Sequence, residues 1–129
     1  MQNNSNIKSN NQNLTKNVLS NILKSPAGTK FQDIEHTFQI ISVQAKQTAK
    51  NTIYMGSVSD GEVKSSQNFV FRMEINNNDI VKIREVNIVN QRDAMLYVVK
   101  ESEIINTGIN RTIGNPVLFK SNNSGNDNI

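Results

Sequence analysis

Between Phe38 and Val99 several runs carry apolar residues at every second position, and in two of them the pattern changes sides partway. Alternation at period two marks a strand with one face on a core. In Phe38-Gln39-Ile40-Ile41-Ser42-Val43-Gln44-Ala45, Phe38 and Ile40 share one parity, while Ile41, Val43 and Ala45 share the other. A switch inside one strand predicts a bulge, which bends the strand so that it can serve both halves of a small barrel. A second strand, Thr52 to Ser59, runs into Asp60-Gly61, where Gly accepts the positive φ of a tight turn. A third, Gln67 to Met73, puts Gln67, Phe69, Phe71 and Met73 on one side and Asn68, Val70 and Arg72 on the other. Asn76-Asn77-Asn78-Asp79 breaks the chain. A long fourth strand, Ile80 to Val89, changes parity near Glu85, and Asn90-Gln91-Arg92-Asp93 turns it into a fifth, Met95 to Val99.

Ahead of the strands, Leu14, Val18, Leu19, Ile22 and Leu23 recur at helical spacing. Asn13 or Thr15 can cap this helix and Pro26-Ala27-Gly28 ends it. The expected fold is therefore all-β, a five-stranded Greek-key barrel of the OB-fold kind with a short N-terminal helix. A generic antiparallel barrel or sandwich is the alternative.

The chain has 129 residues, the size of one domain with tails. Of its 22 asparagines, ten crowd the ends, six from Asn3 to Asn13 and four from Asn122 to Asn128. Such stretches bury too little apolar surface to offset the entropy of ordering. Residues 1–12 are expected to be a disordered tail, 13–120 the domain, and 121–129 the start of a flexible linker to something longer. An AT-rich genome also accounts for the asparagines. No apolar run is long enough to span a membrane. Cysteine is absent, so disulfides and thiolate-bound zinc are excluded, and a reducing, intracellular compartment is expected.

Little in the chain suggests catalysis. His36 is the one histidine, and no HExxH, P-loop or Gly-rich dinucleotide motif occurs. Asp79, Glu85, Asp93, Glu101 and Glu103 include no spacing that demands a paired-carboxylate site. Asp33, Glu35 and His36 could chelate a metal, but a surface cluster before a strand is the preferred reading. A non-enzymatic chain with no cofactor and no metal is expected.

Two stretches carry a family likeness. Tyr54-Met55-Gly56-Ser57-Val58-Ser59-Asp60-Gly61 followed by Phe69-Val70-Phe71 resembles the second and third strands of the N-terminal domain of the replication protein A large subunit. Ile113-Gly114-Asn115-Pro116-Val117-Leu118-Phe119 is similar to that family's closing Ile-Gly-Asn-Pro-Val segment. The elements come in the same order, over about residues 14–120. The resemblance implies a nuclear OB-fold that recruits proteins for DNA replication and repair. Its groove would take acidic amphipathic segments. Single-stranded DNA would be held mainly by further domains of the parent protein, itself one subunit of a heterotrimer. A paralogue serving telomere maintenance in a telomerase holoenzyme, of the kind ciliates have, is the alternative. The family's groove carries arginines at the end of the first strand and around the second, where this chain has Gln44, Ile53 and Met55.

The residues expected to meet a partner are therefore few. Lys46 and Lys50 fall in the loop between the first two strands, and Arg92 in the turn between the last two. In an OB-fold those loops flank the binding face. The alternative for all three is a solvated loop charge. Met55 and Val70 can line an apolar trough, with Met55 as a simple filler the alternative, and Arg72, Lys82 and Arg84 can extend a basic stripe that Glu74 and Glu85 nearby dilute. Tyr54 and Tyr97 are the candidate stacking platforms, each preferred as a barrel residue with its hydroxyl in water. A net charge of +3 is too small to argue for strong nucleic-acid binding.

Overall fold

The computed structural model describes residues 17–120. The expected tails and the expected helix start at Leu14, with its cap, lie outside these residues. Helix α1 (Val18–Leu23) follows Asn17, whose backbone is left-handed and whose side chain makes no capping hydrogen bond. Six residues cannot hold a helix in water unaided. This one is held because Val18, Leu19 and Ile22, on one face, are fully buried in the core. Ser25 closes it by donating its hydroxyl to the Asn21 carbonyl at 2.7 Å.

Eight strands follow: β1 (Lys30–Phe31), β2 (His36–Gln47), β3 (Thr52–Ser59), β4 (Val63–Lys64), β5 (Phe69–Phe71), β6 (Ile80–Gln91), β7 (Ala94–Asn106) and β8 (Val117–Leu118). Five of them form a ring. β2 pairs antiparallel with β3 and β3 with β5, β5 runs parallel to β7, β7 pairs with β6, and β6 returns to β2. The molecule is thus mostly β, a closed, barrel-like sheet with one small helix.

The bulge expected in the first strand lies between Ile40 and Ser42. β2 pairs with β6 through His36–Gln39, ahead of the bulge, and with β3 on both sides of it, at Gln39 and Ile40 and again through Ser42–Gln47. The parity change expected near Glu85 is likewise a register irregularity, between Ile83 and Val86. Inside the ring Phe38, Phe69, Phe71, Ile40, Ile83 and Ile88 are all but fully buried. Each such side chain contributes roughly 1.5–3 kcal/mol by leaving water. The third strand is shorter than Gln67–Met73, and all three of its residues are buried. Val70, of the parity opposite to Phe69 and Phe71, is buried too because Met55 and Val98 stand beside it in register.

The two stretches that carry the family likeness meet in space. Ser59 accepts a hydrogen bond from the Gly61 N–H at 2.8 Å. Asp60 Oδ1 accepts from the N–H groups of Glu62 and Val63, an Asx-type turn. β8 returns to run parallel to β4, with Val117 N–H on the Glu62 carbonyl and Phe119 N–H on the Lys64 carbonyl. Gly114, at φ 73, lies so close to Gly61 that a Cβ would overlap its carbonyl. Farther back, Gln39, 3% exposed, accepts from the Ile113 N–H at 2.8 Å and donates to the Arg111 carbonyl at 2.9 Å. The closing segment 111–119 is therefore a strap, pinned at both ends. No helix among the described residues is long and apolar enough to cross a membrane.

Candidate partner-binding face

Register decides which residues share the outer face. Tyr54 is opposite Phe71 and Gly56 opposite Phe69, and Phe69 is in turn opposite Tyr97. These are core positions, so their neighbours along each strand point the other way. One outward rank reads Gln44, Met55, Val70, Val98 and Asn87 across β2, β3, β5, β7 and β6. The next rank towards the first hairpin begins with the pair Lys46 and Ile53. It continues with Arg72 and Lys100, two residues beyond Val70 and Val98 on their strands. On the other side lie Ser42 with Ser57, and Leu96 with Val89.

An apolar rank thus lies beside a cationic one. Met55 and Val98 are half-buried, Val70 keeps 8% of its surface, and Lys46, Arg72 and Lys100 are exposed. No residue at these outward positions from Ser42 to Lys46, Ile53 to Ser59 or Leu96 to Lys100 is acidic. Lys46, expected in a loop, belongs to β2, because that strand runs to Gln47. Lys50 is in the turn, which Thr48 ties by accepting from the Asn51 N–H and donating to its carbonyl. An open depression of about 520 Å³ there is lined by Thr48, Ala49, Lys50, Asn51, Ile53 and Arg72. It brings Lys50 and Arg72 around the apolar side chains of Ala49 and Ile53.

Arg92 lies elsewhere. β3 runs against β5 and β5 runs with β7, so the β6–β7 turn emerges at the opposite end of the ranks from the β2–β3 turn. Lys46 and Lys50 therefore stand at one end of the face and Arg92 at the other. Arg92 and Asp93 both take positive φ, as a two-residue hairpin turn requires.

The remaining cations and aromatics are corrected by their surroundings. Lys82 and Arg84 do not extend the stripe. Glu35 pairs with both, at 3.6 and 3.4 Å, and Glu103 binds Arg84 as well. The Glu103 hydrogen bond holds the Arg84 guanidinium even more firmly protonated than usual. These pairs also engage Glu35, and no group of three or more metal-ligating side chains occurs among the described residues. Tyr97 is 4% exposed, stacks on Phe69 at 5.1 Å, and donates its hydroxyl to the Leu23 carbonyl at 3.1 Å. That hydroxyl is not in water, and burial pushes the phenol's pKa up. Tyr54 packs against the core from the inward side. Neither tyrosine stands on the outer face.

Sequence reasoning missed Ile53, Leu96, Val98 and Lys100 as parts of this face. Leu96 and Val98 alternate with Met95, Tyr97 and Val99, a signal present in the chain but unreadable without the β5–β7 register. Compared with known proteins, the chain matches no family model and no curated protein significantly.

Proposed function

We propose that this chain is a non-enzymatic recruitment module of the replication protein A large-subunit type, an OB-fold whose outer face holds an acidic amphipathic segment of a partner. The pairing supports the fold. With β2, β3, β5, β6 and β7 as strands one to five, the fourth lies beside the first, then come second and third, the Greek-key order. The fifth closes the ring.

One observation carries the function: the apolar rank Met55, Val70 and Val98 lies alongside Lys46, Arg72 and Lys100, and carboxylates enter only where the sheet reaches β6, at Glu85 opposite Glu101. A helix in a groove offers an apolar stripe and charges on its flank. Neighbouring strands are about 4.8 Å apart, so four of them span roughly 14 Å. That is the length of about ten helical residues. Carboxylates one helical turn apart, at about 5–6 Å, match the strand spacing. Single-stranded nucleic acid would call for exposed rings on such a face, and Tyr54 and Tyr97 turn inward. The nuclear setting, the DNA-binding sister domains and the partner subunits rest on the family resemblance alone.

The test is fluorescence anisotropy with a labelled acidic amphipathic peptide, a scrambled peptide of equal charge, and a single-stranded oligonucleotide. The triple variant K46E/R72E/K100E loses three exposed pairs of about 0.2–1 kcal/mol each, so affinity should fall about tenfold. Binding should also weaken with salt, and the scrambled peptide should bind less. Tighter binding of the oligonucleotide than of the peptide would replace this reading with direct strand binding.

A further inference from the structure

The strap ends the sheet in an open edge. Its strand β8 pairs with β4 on one side, and among the described residues no strand lies on the other. The N–H groups of Val117 and Phe119 are engaged by β4, on the Glu62 and Lys64 carbonyls. In a trans peptide the carbonyl points opposite to the N–H in its plane, so the carbonyls of Pro116 and Leu118 face away from β4. The Leu118 N–H faces the same way, because an extended residue turns both backbone groups to one side. Edges of this kind are ordinarily blunted by charge or covered. Here Val117 and Leu118 are instead the most exposed large apolar side chains of the described residues, at 63% and 51%. The charges lie around them. Lys64 stands beside Leu118 in register and, one step back, Glu62 stands beside Pro116. Glu62 and Lys120 are both exposed.

We infer that β8 pairs antiparallel with β8 of a second copy of this chain, about a two-fold axis at Leu118. Leu118 then exchanges both N–H···O bonds with the partner's Leu118, as a hydrogen-bonded antiparallel pair does. On either side the partner's Lys120 comes opposite Pro116 and donates its N–H to the Pro116 carbonyl. Proline has no N–H to return, so that pair has a single bond. Residues side by side in a sheet share a face. On one face Leu118 covers the partner's Leu118. There the partner's Lys120 reaches across the compact Pro116 to Glu62, two strand spacings or about 10 Å away. On the other face the partner's Val117 packs on the half-buried Phe119. The edge is thus its own complement in backbone, apolar surface and charge, as a two-fold interface requires. So short a strand buries less than the roughly 1,200–2,000 Å² of a stable complex, and the dimer is a weak one. It is independent of what the outer face binds.

The experiment is sedimentation of the whole chain from micromolar to millimolar concentration, where a monomer–dimer equilibrium is expected. Leu118→Pro removes a donor with no partner among the described residues, and an edge strand tolerates proline where its N–H faces outward. Dimerisation should weaken by at least about tenfold through the two symmetric bonds, with the urea midpoint of the monomer unchanged. K120E and E62K are surface changes that leave the fold intact, and each should weaken the dimer about fivefold through two exposed ion pairs. The double variant E62K/K120E should regain the wild-type association, because each pair is then re-formed with its charges exchanged. In a mixture of isotopically labelled and unlabelled chains, an intermolecular Hα–Hα NOE should join Val117 to the partner's Phe119, a non-hydrogen-bonded pair. A monomer at every concentration, indifference to L118P, no recovery in the double reversal, or intermolecular contacts elsewhere would each overturn the assignment.

Discussion

The clamp at Gln39 makes a local interaction responsible for holding a distant segment, and replacing it has a calculable effect. Gln39→Met keeps the length and nearly the volume of the side chain but removes both polar atoms. Two good hydrogen bonds are lost, at 2.8 Å from Ile113 and 2.9 Å to Arg111, along with a longer one to Asn78 at 3.4 Å. Each good bond is worth about 1 kcal/mol net, so the loss is about 2 kcal/mol. Any freed group that the methionine side chain shields from water adds to this loss. For a domain of this size that corresponds to a melting point lower by roughly 10 °C. Urea unfolding gives the stability, and native-state hydrogen exchange tells where it was lost. The amides of Val117 and Phe119, which donate across β4–β8, should exchange faster, while those in the β5–β7 core change less. Gln39→Glu sets a carboxylate against the Arg111 and Asn78 carbonyls. It should therefore be worse than Q39M near neutral pH and recover as acid protonates it. A Q39M change below about 0.5 kcal/mol, the range of an ordinary surface substitution, with exchange in the strap unaltered, would refute the clamp.

Two further perturbations follow from the packing. Gly114→Ala meets both a positive φ and the Gly61 backbone, whereas Gly61→Ala has a positive φ but open space around its Cβ. The first should cost more than the roughly 1–2 kcal/mol of left-handed strain expected for the second, and equal denaturation midpoints would count against the strap contact. Tyr97→Phe loses the hydroxyl bond to Leu23, about 1 kcal/mol near pH 8. The folded phenol titrates above the unfolded value of about 10, so its stabilising share is complete below that pH and is lost as pH rises through the folded pKa. The stability difference between wild type and Y97F, read by urea unfolding at pH 8 and 11, should therefore shrink in alkali. A constant difference would show that the phenol's burial is not linked to stability.

How much of this was legible in the sequence depended on the length and polarity of each element. β3 was read with its observed ends because alternation and the Asp60-Gly61 turn bracket it. The bulge in β2 was legible because a parity switch has few other causes. β7 was expected to stop at Val99, yet it runs to Asn106. Its second half, Lys100-Glu101-Ser102-Glu103, has no apolar alternation and is a strand because β6 offers its backbone a partner there. β1, β4 and β8 have two residues each, too few to show any period. On the face, Met55 and Val70 could be proposed from parity within their own strands. The cationic rank could not, since Arg72 and Lys100 become neighbours of Lys46 only through pairing between strands far apart in the chain. The ion pairs that remove Lys82 and Arg84 from the surface charge are tertiary for the same reason.

The parallel β5–β7 seam has a kinetic consequence. Turns of a few residues make the β2–β3 and β6–β7 hairpins, so both can form early from neighbouring chain. The seam joins Phe69–Val70 to Tyr97–Val98 across the whole excursion of β6, and its strand on one side is only three residues long. Loop-closure entropy must be met there before the stacked Phe69 and Tyr97 rings repay it. High contact order slows folding for this reason, and the seam shares that cost with the β2–β6 and β1–β6 pairings, whose partners lie still farther apart in the chain.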